Sequence, residues 1–346
     1  MKISIVTIYD AYNYGCFLQA FSTYTFLEEL GYDVTILDCF DISYKMKLIL
    51  SKKIKDIIDK FNKYKCYKKD WKLLKTERNK NQAFDCIICG SDEIWSINQP
   101  KYKNIPEFYG NKLNTSKLIA YAPSCGSATF EESISDKKLV EGIKRFDYVF
   151  PRDELTKNIS EAVRNNVCYR VVDPTILLLN KWDAIIDKVE ESLEIPIDIK
   201  EKYIVYYSYY DNPKCKKNLI DFAKVNNLKI ISPNFKRDWC DISLDMSPLE
   251  FLYLIKNSEY VVTTTFHGTI FANIFKKNYI VESEGQKVLD FLSLIDVVNL
   301  KLYKENMSNL EFSNMLKFNL DYNDIFEKLN IEREKSEKLL IQSIEK

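Results

Sequence analysis

Residues 1–40 read MKISIVTIYDAYNYGCFLQAFSTYTFLEELGYDVTILDCF. The opening MKISIVTIY is short, apolar and β-branched, the composition of a buried strand. DAYNYG breaks the run. In CFLQAFSTYTFLEELG the residues Phe17, Leu18, Phe21, Tyr24, Phe26 and Leu27 form a helical apolar face, and Gly31 stands where a helix stops. VTILDCF (34–40) is a second strand. Strand, turn, helix and strand in this order predict a parallel α/β sheet.

The pattern recurs outward from there. FDCIICG (84–90), KLIAYAPSCG (117–126), FDYVFPRD (146–153) and CYRVVDPTILL (168–178) each read as a strand that ends in polar or charged residues. KYIVYYSYY (202–210) opens a second sheet, LKIISPNFKRDW (228–239) continues it, and residues 247–275 read as helix, strand, loop and helix. At 346 residues two domains are expected, over 1–178 and 179–321, with a charged helical tail over 322–346 that packs back across them.

Formal net charge is zero, so bulk electrostatics offers no argument for nucleic-acid binding. Nine cysteines without a framework spacing fit a reducing compartment. The N-terminal apolar run is too short for a signal peptide, and no uninterrupted apolar run of about 18 residues occurs. A soluble, cytoplasmic protein is expected. Residues 45–80 are lysine-rich, with Phe61, Tyr64, Tyr67 and Trp71 interleaved. They read as a solvated helical face or as a peripheral contact with an anionic membrane surface.

The one histidine lies in TTTFHGTIF (263–271). Ser247, Pro248 and Glu250 form a capping box ahead of the preceding helix, and SEYVVTT is the strand that follows it. His267, Gly268 and Thr269 therefore fall where a strand ends and a helix starts. Ligands bind at that edge of α/β sheets, and helix N-termini favour anions. Thr265 and Thr269 add hydroxyls. A packing histidine is the competing reading.

Asn13, Tyr14 and Gly15 occupy the first strand-to-helix turn without a full dinucleotide fingerprint, and Asn13 and Gln19 are expected to face a cleft. Gly90, Ser91 and Asp92 follow the next strand, with Asp92 a general base or a helix cap. Arg152, one of only seven arginines, ends another strand. It suits a forked clamp on a carboxylate or phosphate, or a surface pair with Asp153. Lys236 and Arg237 offer a weaker anion contact. Cys86 and Cys89 form a lone CxxC whose side chains point to opposite faces of a strand, which argues against a metal site. No Walker A, GxSxG or HExxH motif occurs.

Six elements in order resemble the polysaccharide pyruvyl transferase family: NYGCFLQA (13–20), GSDEIW (90–95), IAYAPSCG (119–126), FPRDE (150–154), VVDPTILL (171–178) and TTTFHGTIFANIF (263–275). They are similar to the family's NYG-x-x-LQA, GSDQIW, AYAxSxG, SVRE, DPTLLL and TDSFHGTxFSxxF. The chain departs at Thr264 and Thr265, where the family often has Asp-Ser, and at Pro151. The resemblance implies a GT-B-like fold of two Rossmann-like domains facing across a cleft. It also implies phosphoenolpyruvate as donor and a sugar or lipid-linked oligosaccharide as acceptor, in capsule or exopolysaccharide biosynthesis. The product is a pyruvate ketal, formed with no cofactor and no metal.

On that reading His267, Arg152 and Asp92 act in catalysis. Thr265, Gly268, Thr269, Arg237 and Lys236 bind the donor, and Asn13, Tyr14, Gly15, Gln19 and Ser91 bind the acceptor. A glycosyltransferase of the same architecture using a nucleotide sugar, and a non-catalytic glycan-binding relative, are the alternatives.

Overall fold

The computed structural model describes residues 1–39, 54–190, 201–283 and 285–346. The chain divides into two compact units. The first comprises Met1–Phe61, Trp71–Leu178 and Leu329–Lys346, and the second Asn62–Asp70 and Leu179–Lys328.

In the first unit β1 (Lys2–Val6), β2 (Asp33–Leu37), β3 (Thr76–Glu77), β4 (Cys86–Cys89), β5 (Leu118–Tyr121) and β6 (Tyr148–Phe150) form one parallel sheet in the order β3-β2-β1-β4-β5-β6. Helix α1 (Tyr14–Glu29) makes the first crossover, and Gly31, at φ 85°, ends it in the left-handed region. β4 and β5 are buried throughout, as expected of central parallel strands covered on both faces.

The segment 168–173, expected as a strand, joins no sheet, and α4 (Pro174–Leu177) follows it. The reason lies in its donors. Val171 N–H bonds to Pro151, but Cys168 N–H takes the Glu161 carboxylate and Val172 N–H takes Ser336 Oγ. Side chains thus replace the ladder partner that a strand needs.

In the second unit β7 (Tyr203–Tyr207), β8 (Lys229–Pro233), β9 (Ile242–Leu244), β10 (Tyr260–Thr263) and β11 (Asn278–Val281) form a parallel sheet in the order β11-β10-β7-β8-β9. Its core joins Ile204, Tyr206, Val262 and Ile280 from the strands to Leu219 and Phe222 of α5 (Pro213–Val225). Both sheets repeat one plan, in which the strand order reverses beside the first strand of the unit. Ligands collect at the carboxyl ends of the strands flanking such a reversal.

Helix α2 (Ile54–Trp71) carries the lysine-rich stretch, of which 45–53 lies outside the described residues. Its residues Asn62–Asp70 belong to the second unit. Lys63 Nζ donates to the Asn234 carbonyl at 2.7 Å, and Lys69 Nζ lies 2.9 Å from Glu250 in α6 (Pro248–Lys256). Buried Asp70 accepts the Leu249 N–H at 2.7 Å. This face of the stretch is therefore committed to protein packing. Among the described residues no helix is long and apolar enough to cross a membrane.

Burial pushes the Asp70 carboxyl up to about 7, against hydrogen bonds from Leu249 and Ser247, while Glu250 adds to the rise. Its folded pKa thus exceeds the unfolded value near ~4, so the folded state binds the proton more tightly. The stability this confers is full below about pH 4 and is lost as pH climbs to about 7. In Asp70→Asn the melting temperature should fall less than in wild type across that window. Parallel melting-temperature curves for the two proteins would refute the assignment.

Candidate functional site

At the carboxyl edge of the first sheet, backbone conformation is set before any side chain acts. Gly90 has φ 121° and is joined to Ser91 by a cis peptide bond. A methyl group at Gly90 would overlap the Tyr121 carbonyl oxygen, so only glycine fits. Asp92 and Ala122, in adjacent turns, both occupy the left-handed region, at φ 72° and 52°. Non-glycine residues held in the left-handed region, like Asp92 and Ala122, concentrate at functional sites.

Gln19 ties these turns together. Its Nε2 lies 2.8 Å from the carbonyls of Ile8 and Cys16 and 2.9 Å from Thr7 Oγ1, and its Oε1 accepts the Ser91 N–H at 3.1 Å. Gln19 is fully buried, as are Tyr14 and Ser91, and Gly15 is buried too. These four, expected to meet an acceptor, instead build the edge. Ser91 Oγ donates to the Ala122 carbonyl at 3.0 Å, and Gly15 N–H donates to Asn13 Oδ1 at 2.9 Å as the N-cap bond of α1. Asn13 and Asp92 are the half-buried members of the set. Asp92 accepts the Cys16 thiol at 3.1 Å and the Glu93 N–H at 2.9 Å.

Arg152 follows β6 and is buried. Its NH1 donates to Asp173 Oδ2 at 2.7 Å and lies 3.3 Å from Ser91 Oγ. Asp173 also caps α4, accepting Thr175 N–H at 3.0 Å and Thr175 Oγ1 at 2.7 Å. Asp153, the partner expected for a surface pair, caps α3 (Glu154–Arg164) instead. Burial opposes the charge of Arg152, but Asp173, then Asp92 and Asp153, outweigh it and raise its pKa. The guanidinium is thus a fixed buried cation with one NH1 bond committed to Asp173, rather than a fork aimed wholly at solvent.

At the carboxyl edge of the second sheet, Thr265 is the N-cap of α7 (Phe266–Ile274). Its Oγ1 accepts the Gly268 N–H at 3.0 Å and lies 2.9 Å from Thr263 Oγ1. A methyl at Gly268 would overlap Thr263 Oγ1 and stand 2.6 Å from Thr265 Oγ1. The glycine is therefore required by close packing of the cap. Thr269 is fully buried, and its N–H and Oγ1 both turn back to the Thr265 carbonyl. These bonds correct the expectation that Thr265, Gly268 and Thr269 present donors to an anion, because each group is used by the helix start itself. His267, half-buried on the first turn, remains at the edge, its ring 5.3 Å from that of Phe266. Thr264 Oγ1 accepts the Tyr209 N–H at 3.1 Å, a bond that a carboxylate at this position could also accept.

Arg237 lies beside the ends of β7 and β8. It bonds Asp211 Oδ1 at 2.7 Å, Ser232 Oγ at 3.0 Å and the Ser208 carbonyl at 2.7 Å, with its guanidinium 4.9 Å from the Tyr206 ring. Burial alone would raise the Asp211 carboxyl, but hydrogen bonds from Arg237 and Trp239 hold it below its ordinary range. Lys236 is exposed.

The sequence reading missed Glu282. Its N–H donates to the Thr263 carbonyl at 2.9 Å, so it ends β11 next to the histidine turn. Burial raises its carboxyl above the ordinary range despite hydrogen bonds from Asn212 and Cys215. Only its place after the apolar run NYIV could have signalled it.

Cys86 and Cys89 are buried on β4, and burial pushes the Cys86 thiol up to about 12. Among the described residues no group of three or more His, Cys, Asp or Glu side chains could hold a metal ion.

A family model described as Polysaccharide pyruvyl transferase matches residues 13–283, which include both strand edges. No curated protein matches the chain. Among solved structures it is similar to the UDP-GlcNAc 2-epimerase of Neisseria meningitidis bound to UDP-GlcNAc, at 11% identity over 99% of each chain with a TM-score of 0.59. It is also similar to the UDP-N-acetylglucosamine 2-epimerase of Rickettsia bellii, at 12% identity over 99% of this chain and 96% of that one, TM-score 0.54. The UDP-GlcNAc 2-epimerase of Methanocaldococcus jannaschii matches at 16% identity over 96% and 99%, TM-score 0.52. At these identities the likeness is one of fold, and that fold is of the GT-B type.

Proposed function

Because the chain belongs to the polysaccharide pyruvyl transferase family, we propose that it moves a pyruvyl group from phosphoenolpyruvate onto two hydroxyls of one sugar in a cell-surface polysaccharide or its lipid-linked precursor. The observation that carries this reading is the length of the match, 13–283, which takes in both strand edges.

The reaction balances without a redox partner. The methylene carbon of the donor gains a proton and becomes a methyl group. One sugar hydroxyl attacks the adjacent carbon, the C–O bond to phosphate breaks, and the second hydroxyl closes the ketal ring. Of the two hydroxyl protons, one ends on the methyl carbon and the other on phosphate.

His267 protonates the departing phosphate, and Arg237 and Lys236 supply positive charge to the donor anions at the same sheet edge. Asp92 takes the hydroxyl proton, with the Cys16 thiol orienting its carboxylate. Arg152, anchored by Asp173, holds the Ser91–Asp92 turn in place.

The purified protein should be incubated with phosphoenolpyruvate and galactose, mannose and N-acetylhexosamine glycosides, then read by mass and by phosphate release. One glycoside should gain a pyruvate ketal with equimolar phosphate. If none does, and UDP or GDP but not phosphoenolpyruvate raises the melting temperature, the nucleotide-sugar alternative replaces this reading.

A further inference from the structure

We propose that the outward face of α2 is a docking surface for a membrane containing anionic lipid, with Phe61, Lys65, Lys68 and Lys72 as its contacts. Delivery of the enzyme to a lipid-linked acceptor rests on the pyruvyl-transfer reading. The docking itself is read without turnover, so either can fail alone.

The two faces of α2 differ in character. On the inward face Tyr67 is fully buried, Asp70 is buried, and Lys63 and Cys66 bond the carbonyls of Asn234 and Asp245. Between positions 61 and 72 the exposed residues are Phe61, Asn62, Lys65, Lys68, Lys69 and Lys72, four lysines and no acid. Lys69 is paired with Glu250, and Lys68 Nζ lies 5.2 Å from the Tyr64 ring. Phe61, Lys65, Lys68 and Lys72 follow at steps of four, three and four residues, with Lys72 directly after the helix end. That spacing places them on one stripe about 16 Å long. The whole chain has as many acidic as basic residues, so the stripe is a local concentration of charge and not a general excess.

The chemistry of the stripe fits a bilayer. Its cations are all lysine, and no arginine occurs between positions 61 and 75. Lysine is a compact, strongly hydrated point charge that suits a diffuse negative surface, whereas phosphates held singly favour the arginine fork. Phe61 is 45% exposed and Leu73 51%, one at each end of the lysines. Apolar side chains beside lysines are what an interfacial helix sinks among lipid head groups. The inward bonds fix the helix beforehand, so docking orders little new chain. Among the described residues no helix is long and apolar enough to cross a membrane, and the contact proposed is peripheral.

The full chain should be sedimented with vesicles of phosphatidylcholine alone and with vesicles that also contain phosphatidylglycerol. Wild type should pellet with the mixed vesicles at low salt, stay in solution with phosphatidylcholine alone, and be released as salt is raised. Lys65→Gln, Lys68→Gln and Lys72→Gln together should weaken the partition about a hundred-fold, roughly five-fold for each lysine. Lys137→Gln, Lys188→Gln and Lys224→Gln remove the same charge from exposed positions elsewhere and should change it less than about two-fold. Phe61→Ser should weaken binding several-fold and leave its salt dependence unchanged. Melting temperatures should stay within a few degrees of wild type, since every substituted lysine is exposed. Equal losses in the two triple variants overturn the proposal, as does an absence of pelleting with the mixed vesicles at low salt. Tighter binding to single-stranded DNA than to vesicles, with Phe61→Ser unchanged, would also overturn it and give the stripe to a nucleic acid. Docking as expected with no pyruvyl transfer would refute only the reaction.

Discussion

Pyruvyl transfer by His267→Ala should fall by about two to four orders of magnitude, the usual worth of a positioned acid or base. The histidine projects from the first turn of α7, where Thr265 caps the helix through the Gly268 amide. That cap does not use the imidazole, so truncation removes the proton donor and leaves the helix start intact. The melting temperature should therefore stay within a few degrees of wild type. Phosphate release close to the wild-type rate would show that His267 is a packing residue and that another group protonates the departing phosphate.

The second large effect is on stability. Asp173→Ala strips the buried Arg152 of its closest carboxylate, at 2.7 Å, with both side chains at or below 4% exposed. Breaking such a pair from one side costs about 3–5 kcal/mol, because a buried charge is left uncompensated. Loss of the cap on α4 adds about 1 kcal/mol. Urea denaturation should show the loss directly. The double variant Arg152→Met with Asp173→Ala should recover much of it, since no charge then remains to desolvate. A single variant within about 0.5 kcal/mol of wild type, the range of an ordinary surface change, would contradict this account.

The strands that the sequence announced are those with dense apolar, β-branched cores. MKISIVTIY, VTILDCF and FDCIICG all hold, because a strand buried on both faces must look that way. β3 has two residues and β9 three half-buried ones, too little pattern to read. The site was legible as position and less so as role. Strand ends placed Asp92, Arg152 and His267 at carboxyl edges of the sheets, where the structure also has them. Whether a polar side chain there meets solvent or the backbone depends on hydrogen-bond accounting that only coordinates supply. Gln19, Ser91 and Thr269 look like ligand groups in a string of letters and prove to be internal struts. The docking of Lys63 and Lys69 depends on residues about 170 to 180 positions away, beyond any local pattern.

The final helix α8 (Tyr322–Glu345) begins in the second unit and ends in the first. Ser336 supplies the acceptor for the Val172 amide, Lys117 reaches the Ile344 carbonyl, and Leu340 and Ile344 are buried. On the ribosome, the unit that emerges first must therefore wait for residues made some 180 positions after its last strand before it can close. The nascent chain carries an unfinished hydrophobic seam through most of its synthesis. Folding factors should engage it there, and premature stop codons upstream of Leu329 should yield protein that is cleared rather than merely inactive.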